Sequence, residues 1–400
     1  MKCRVIVVAI HVVAEPLEES DFHNFGLYFA RVFYLWLAWH MVTLFMNAAV
    51  KMKSQNCPFH NLFIFIWMSF ILHMARSFSI DNDANAMKSY LGLRAFETLI
   101  YWRQVKFPYK AIVLEDGTKM MSVSEDWVAA MNSYTPVISF MFLVCETIPL
   151  TLAIYWGTNG GVYYPMILVS MILICFSFLI GAVGGIGNRG KMLVNAFDAD
   201  HLSERYELIT LIFTGELCFA AGKPGNTLGS NGVMIMAFAT YLMTFKSFPL
   251  HGQIKFWARS VLHSVIGLLL YAGVFCAIPA MGSAFARIIK EVDSEDIEEG
   301  DQEGISAGDL LCYSAGSFMI FSSMMNLINK DPVGENSPAL SSTNRGIIRT
   351  LTGIIIWSLT FIIPDSNENK SDIAAVIVPL FALLSTAIEI WAVGSLKIAI

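Results

Sequence analysis

Charge is scarce in this sequence. Asp, Glu, Lys and Arg supply 14% of its 400 residues and hydrophobic residues 56%, against roughly 25% and 45–50% in soluble domains. That imbalance excludes an ordinary water-soluble enzyme, and it excludes intrinsic disorder as well. A formal net charge of −6 argues against a basic nucleic-acid binder. The seven cysteines contain no C-x-x-C pair. Five of them (Cys145, Cys175, Cys218, Cys276 and Cys312) lie inside apolar runs, where a thiol serves as a small packing group. The sequence has no H-E-x-x-H, phosphate loop or G-x-S-x-G nucleophile turn, and its eight histidines lack metal-ligand spacing. No catalytic motif, cofactor fingerprint or metal set is therefore expected.

Long apolar runs are what the chain has instead. A helix needs about 20 apolar residues to cross the hydrocarbon core of a bilayer. Eleven such runs occur, at about residues 25–50, 59–79, 85–106, 133–157, 162–187, 203–222, 229–248, 258–286, 306–328, 345–363 and 373–395. A twelfth, Val5 to Ala14, is too short to cross alone. Its Lys2 and Arg4 followed by apolar residues and Val12-Val13-Ala14 fit either a signal peptide or a clipped first helix. With an inner N-terminus and that segment counted, seventeen Lys and Arg fall on the inner side and six outside (Arg76, Lys88, Lys223, Arg287, Lys290 and Lys370). Arg31, Arg94 and Arg205 remain within helices. This asymmetry places both termini in the cytoplasm, with the plasma membrane as the assumed compartment. The expected fold is all-α: a single integral membrane domain over residues 1–400, a bundle of 11–12 spans with a shortened first helix.

Two features resemble sites and read better as something else. Gly185-Ile186-Gly187-Asn188-Arg189-Gly190 has the letters of a dinucleotide fingerprint, but it ends a long apolar helix instead of following a strand. Its glycines, with Gly181 and Gly184, suit close helix packing. The acidic run Glu291 to Glu303, in an outer loop at 291–305, lacks calcium-loop spacing and reads as a solvated segment. The sequon at Asn369 lies close to the membrane, in a short loop that disfavours glycosylation.

Charges inside a bilayer cost about 2.5–3.5 kcal/mol each on insertion scales, so those present need a reason. Arg31 and His40 fall in the second segment, His73 in the third, Arg94 and Glu97 in the fourth, and Glu146 in the fifth. Arg205 and Glu216 fall in the seventh, His263 in the ninth, and Glu389 in the twelfth. The four acids nearly balance the three arginines. Trp36, His40, Thr43 and Asn47 share one helix face, which should point to the bundle interior. His201, Arg205 and Glu216 share another, with Arg205 and Glu216 about 16 Å apart along the axis. Two readings fit: the groups pair across helices and fix the packing, or some of them line a path for a proton, ion or small polar solute.

The seventh segment, His201-Leu-Ser-Glu204-Arg205-Tyr-Glu-Leu208-Ile-Thr210-Leu-Ile-Phe-Thr-Gly215-Glu216, resembles the H-x-x-E-R-x-x-L-x-T-I-I-x-x-G-E stretch of the low temperature requirement protein A family. Trp36 to Asn47 is similar to that family's W-x-x-W-x-x-x-T-x-x-x-N stretch, and Leu93-Arg94 fits it loosely. The likeness spans roughly residues 1–290, while the last three helices match in hydropathy alone. The family opens with an E-L-F-F-D-L-V-F-V-like helix, whose second half corresponds to Val5 to Ala14. That favours a clipped helix over a signal peptide, and the acidic pair of the opening is missing. Loops at 107–130 and 291–305 are longer than the family's. The resemblance implies a polytopic membrane protein linked to growth at low temperature, without a settled activity. The function expected is transport or channelling of a small solute or ion, with the bilayer as its surroundings. His201, Glu204, Arg205, Glu216, His40, Thr43, Asn47, Arg94 and Glu97 would form the polar path. The alternatives are a non-transporting scaffold or sensor, and a lipid-modifying enzyme using His201, Glu204 and Glu207.

Overall fold

The computed structural model describes residues 22–51, 58–79, 82–106, 141–156, 163–184, 199–221, 227–243, 261–291, 305–328, 342–363 and 370–397. Among them are eleven α-helices, one π-helical stretch and no strand. The helices are α1 (Phe22–Lys51), α2 (Pro58–Ser79), α3 (Asp83–Lys106), α4 (Ile148–Trp156), α5 (Tyr163–Gly184) and α6 (Ala199–Ala221). They continue as α7 (Thr227–Leu242), α8 (Val261–Glu291), α9 (Ala307–Ile328), α10 (Ser342–Ile362) and α11 (Lys370–Lys397). Each of the eleven apolar runs corresponds to one α-helix; ten agree within a few residues at each end, and in the run at 133–157 the described part is the π-helical stretch from Met141 followed by α4. The Val5–Ala14 segment, the glycine run at 185–190, the acidic run beyond Glu291, the sequon at Asn369 and the insertion at 107–130 lie outside the described residues.

Local chemistry sets several helix ends. Asn82 caps α3, its side-chain oxygen accepting the Asn85 N–H at 3.1 Å. Ser306 caps α9: its hydroxyl accepts the Asp309 N–H at 3.0 Å and donates to the Asp309 carboxylate at 2.7 Å, a reciprocal cap. Within the helices, Thr43, Thr98, Thr214, Ser314, Ser358 and Thr386 donate to carbonyls one turn back on their own helix. Their hydroxyls are thus satisfied without a neighbouring helix.

The chain forms two compact units. The first comprises residues 1–13, 30–205 and 255–266, and the second residues 14–29, 206–254 and 267–400. In the first unit α2 packs on α3, with Phe63 and Phe96 rings 5.3 Å apart and His73 Nδ1 2.7 Å from Ser89 Oγ. Arg31 on α1 reaches Asp83 at the start of α3 at 2.8 Å and lies over the Phe78 ring. In the second unit α9 and α10 cross where Gly316 faces Gly353. A Cβ on Gly353 would stand 2.8 Å from the Gly316 carbonyl oxygen, so this crossing requires glycine. Lys370, at the start of α11, pairs with Asp309 at the start of α9 at 2.8 Å and reaches the Thr360 carbonyl near the end of α10. Neighbouring helices there run in alternating directions.

The described core is mostly apolar, but it also holds charged side chains while many large apolar ones are exposed. Arg31, Asp83, Arg94, Glu97, Glu146, Arg349, Lys370 and Glu389 are buried, whereas Phe65, Leu99, Leu143, Ile148, Leu168, Phe176, Phe238 and Phe361 are exposed. On α10, Ile347, Leu351, Ile354 and Ile355 form an exposed apolar stripe, while Arg349, Thr352 and Ile356 face inward. By length and composition, Val265–Lys290 within α8 and Lys370–Glu389 within α11 are long and apolar enough to cross a membrane.

Candidate functional site

The largest cluster of buried charge in the first unit is built on the middle of α3. Tyr90, Arg94 and Glu97 stand at i, i+4 and i+7, so they share one face of that helix. Arg94 is 1% exposed, and Glu97 and Glu146 are 0% exposed. The guanidinium donates from Nε to Glu146 Oε2 at 2.8 Å and from Nη2 to Glu146 Oε1 at 2.9 Å. This is the two-pronged geometry that makes arginine–carboxylate pairs strong. Its Nη1 donates to Glu97 Oε2. The second Glu97 oxygen has no close hydrogen-bond partner, and neither does the equally buried Tyr90 hydroxyl. The indole of Trp67, on α2, lies against the Glu97 carboxyl. Tyr34 of α1 packs edge-on against Tyr90, with ring centroids 4.8 Å apart.

Glu146 reaches Arg94 from an irregular turn. Residues Met141–Thr147 form the π-helical stretch that leads into α4, and Pro149 follows three residues after Glu146. A regular helix would bond the N–H of residue 149 to the Cys145 carbonyl, but proline has no N–H. The Ser170 hydroxyl of α5 donates to that carbonyl at 2.9 Å. Thr147 in turn donates its hydroxyl to the Phe142 carbonyl at 2.7 Å. π-helical turns of this kind recur at functional sites because they re-aim a side chain without ending the helix.

The other residues singled out by sequence are placed as follows. Trp36, His40 and Thr43 are buried, with the His40 ring stacked on Trp36 at 5.5 Å. Glu204 is exposed and Arg205 half-buried. The side chains of Asn47, His201 and Glu216 lie outside the described residues. Arg94 and Glu97 are therefore brought together in the described structure, and Glu146 joins them. Sequence reasoning named Glu146 only as an intramembrane acid; Pro149 is the sequence signal that marks the irregular turn carrying it.

A second ion pair involves Arg349, one of the seventeen cations counted on the inner side. It is fully buried in the second unit, donating from Nε and Nη2 to the two Glu389 oxygens at 2.6 Å each. Within the family-like stretch of α6, Thr210 bonds the Tyr271 hydroxyl of α8, and Tyr271 donates to the Tyr206 carbonyl at 2.6 Å. That motif residue thus ties α6 to α8. Among the described residues no group of three or more His, Cys, Asp or Glu could hold a metal ion.

Residues 5–394 match the family described as bacterial low temperature requirement A protein (LtrA). The chain belongs to the LtrA family. It is a membrane protein of that family, and the match runs past residue 290 to take in α9–α11. No curated protein and no solved structure matches this LtrA chain.

Proposed function

We propose that this LtrA-family chain is a multi-pass helical bundle, with both termini cytoplasmic, that moves a small ion or solute across its membrane. The observation that carries the reading is the charge count at the middle of α3. Arg94 and Glu146 already form a charge-neutral pair joined by two hydrogen bonds. Charge balance requires nothing more, yet the acceptor that meets the remaining Nη1 is Glu97, a second buried carboxylate on the same guanidinium. A net negative charge in a low-dielectric site attracts a proton or cation. Charges inside and large apolar side chains outside support the multi-pass arrangement. His40, Thr43, Asn47, His201, Glu204, Arg205 and Glu216 complete the proposed polar path.

The competing reading is a scaffold or sensor without transport. The neutral pairs Arg31–Asp83, Arg349–Glu389 and Lys370–Asp309 favour it, since each is self-sufficient as a packing device. Flux in proteoliposomes decides between them. Gradients of pH, potassium and chloride are imposed in turn on wild type, Glu97→Gln, Glu216→Gln and Arg205→Ala. Flux in the wild type that folded variants lose supports transport. Silence under every gradient supports the scaffold.

A further inference from the structure

The two carboxylates of the α3 cluster are not equivalent. Glu146 gives both oxygens to Arg94, and that pair neutralises itself. Glu97 accepts Nη1 through Oε2, and its buried Oε1 has no close hydrogen bond, the Trp67 indole being the one other donor that faces the carboxyl among the described residues. The Tyr90 hydroxyl, two turns earlier on the same face of α3, is likewise buried without a partner. The groups facing Glu97 are Arg94 on its own helix, Glu146 from the π-helical turn and Trp67 from α2.

This environment discriminates among cations. Hard metal ions take six or more oxygen ligands, or keep several waters. Here a guanidinium already touches the carboxylate, an indole can only donate, and Glu146 has no oxygen to spare. A proton needs one lone pair, and Oε1 offers it. We infer that Glu97 is a proton-exchanging site: a proton from the aqueous phase adds to Glu97 Oε1, the cluster goes from net −1 to neutral, and Arg94–Glu146 stays an ion pair throughout. The inference rests on the transport reading in one respect, that the moving ion is then the proton.

Infrared difference spectra of the full chain in vesicles, between acid and alkaline buffer and in H2O and D2O, test this directly. The expected result is a carboxylic C=O band that follows pH, shifts in D2O, and is lost in Glu97→Gln while the Arg94–Glu146 signals remain. Where Glu97→Gln does not fold, Glu97→Asp replaces it, and the band changes frequency with the new carboxyl. An identical band in wild type and variant overturns the inference, as does its absence from wild type at every pH. The two proposals fail separately. A Glu97 band without any flux upholds the proton site and removes transport; proton flux that Glu97→Gln retains overturns the site and leaves transport standing.

Discussion

Arg94 and Glu146 lie 52 residues apart in sequence and meet through two parallel hydrogen bonds, while Glu97, three residues from Arg94, holds the same guanidinium by one. The nearer acid is thus the less committed one. Glu146→Gln leaves Glu97 to balance Arg94 but gives up the two-pronged bonding, and a buried donor that loses its acceptor costs about 1–3 kcal/mol. Glu146→Gln should therefore lower the thermal stability of the purified protein. Glu97→Gln removes uncompensated charge and keeps an oxygen for Nη1, so it should leave stability unchanged or raise it. Thermal unfolding in detergent reads both, and equal losses would refute the unequal roles assigned here.

The bend at Pro149 yields a prediction about Ser170. With the 149 N–H absent, the Ser170 hydroxyl is the donor supplied to the Cys145 carbonyl from α5. Ser170→Ala should cost about 1–3 kcal/mol, the penalty for a buried acceptor losing its donor. In a Pro149→Ala background the restored N–H can take that carbonyl, and the cost of Ser170→Ala should fall close to zero. A double-mutant cycle measures the difference. Simple additivity would mean that the proline and the serine act independently.

Much of the fold was legible because helix formation in an apolar chain is local. Eleven runs became eleven helices, whereas the shared face of Trp36, His40 and Thr43 does not stand out, because α1 is buried on every side from Ala30 to Thr43. Partner choice was not legible, because periodicity fixes a helix face but not the neighbour that covers it. Arg31 finds Asp83, a helix-start residue outside the count of membrane acids, and Glu389 finds Arg349, which is outside the count of arginines within helices. The α3 cluster was half visible: Arg94 and Glu97 share one helix, whereas Glu146 arrives through a π-helical turn.

Two glycines should respond oppositely to alanine. At Gly353 an added Cβ would press on the Gly316 carbonyl oxygen at 2.8 Å and on Ile320 at 2.9 Å, so α9 and α10 must part. Overpacking of this kind costs about 1–3 kcal/mol. At Gly215 nothing lies within 4 Å of the added Cβ, and alanine is the better helix former by about 0.5–1 kcal/mol. Gly353→Ala should melt earlier than wild type and Gly215→Ala slightly later. Because Gly215 belongs to the LtrA-like stretch of α6, a stable Gly215→Ala that loses flux would show that this glycine matters for something other than packing.

The Arg349–Glu389 pair has the opposite logic from the α3 cluster, because it is neutral and both carboxylate oxygens are engaged. Arg349→Met or Glu389→Leu alone strands a buried charge and should cost about 3–5 kcal/mol. The double variant removes both charges and fills the space with apolar atoms, an exchange that is often neutral. It should unfold near the wild-type temperature and retain any flux the wild type shows. If the double variant is as unstable as either single, the pair contributes more than charge balance, and the Arg349 contact to the Met243 carbonyl at 3.5 Å becomes the next bond to test.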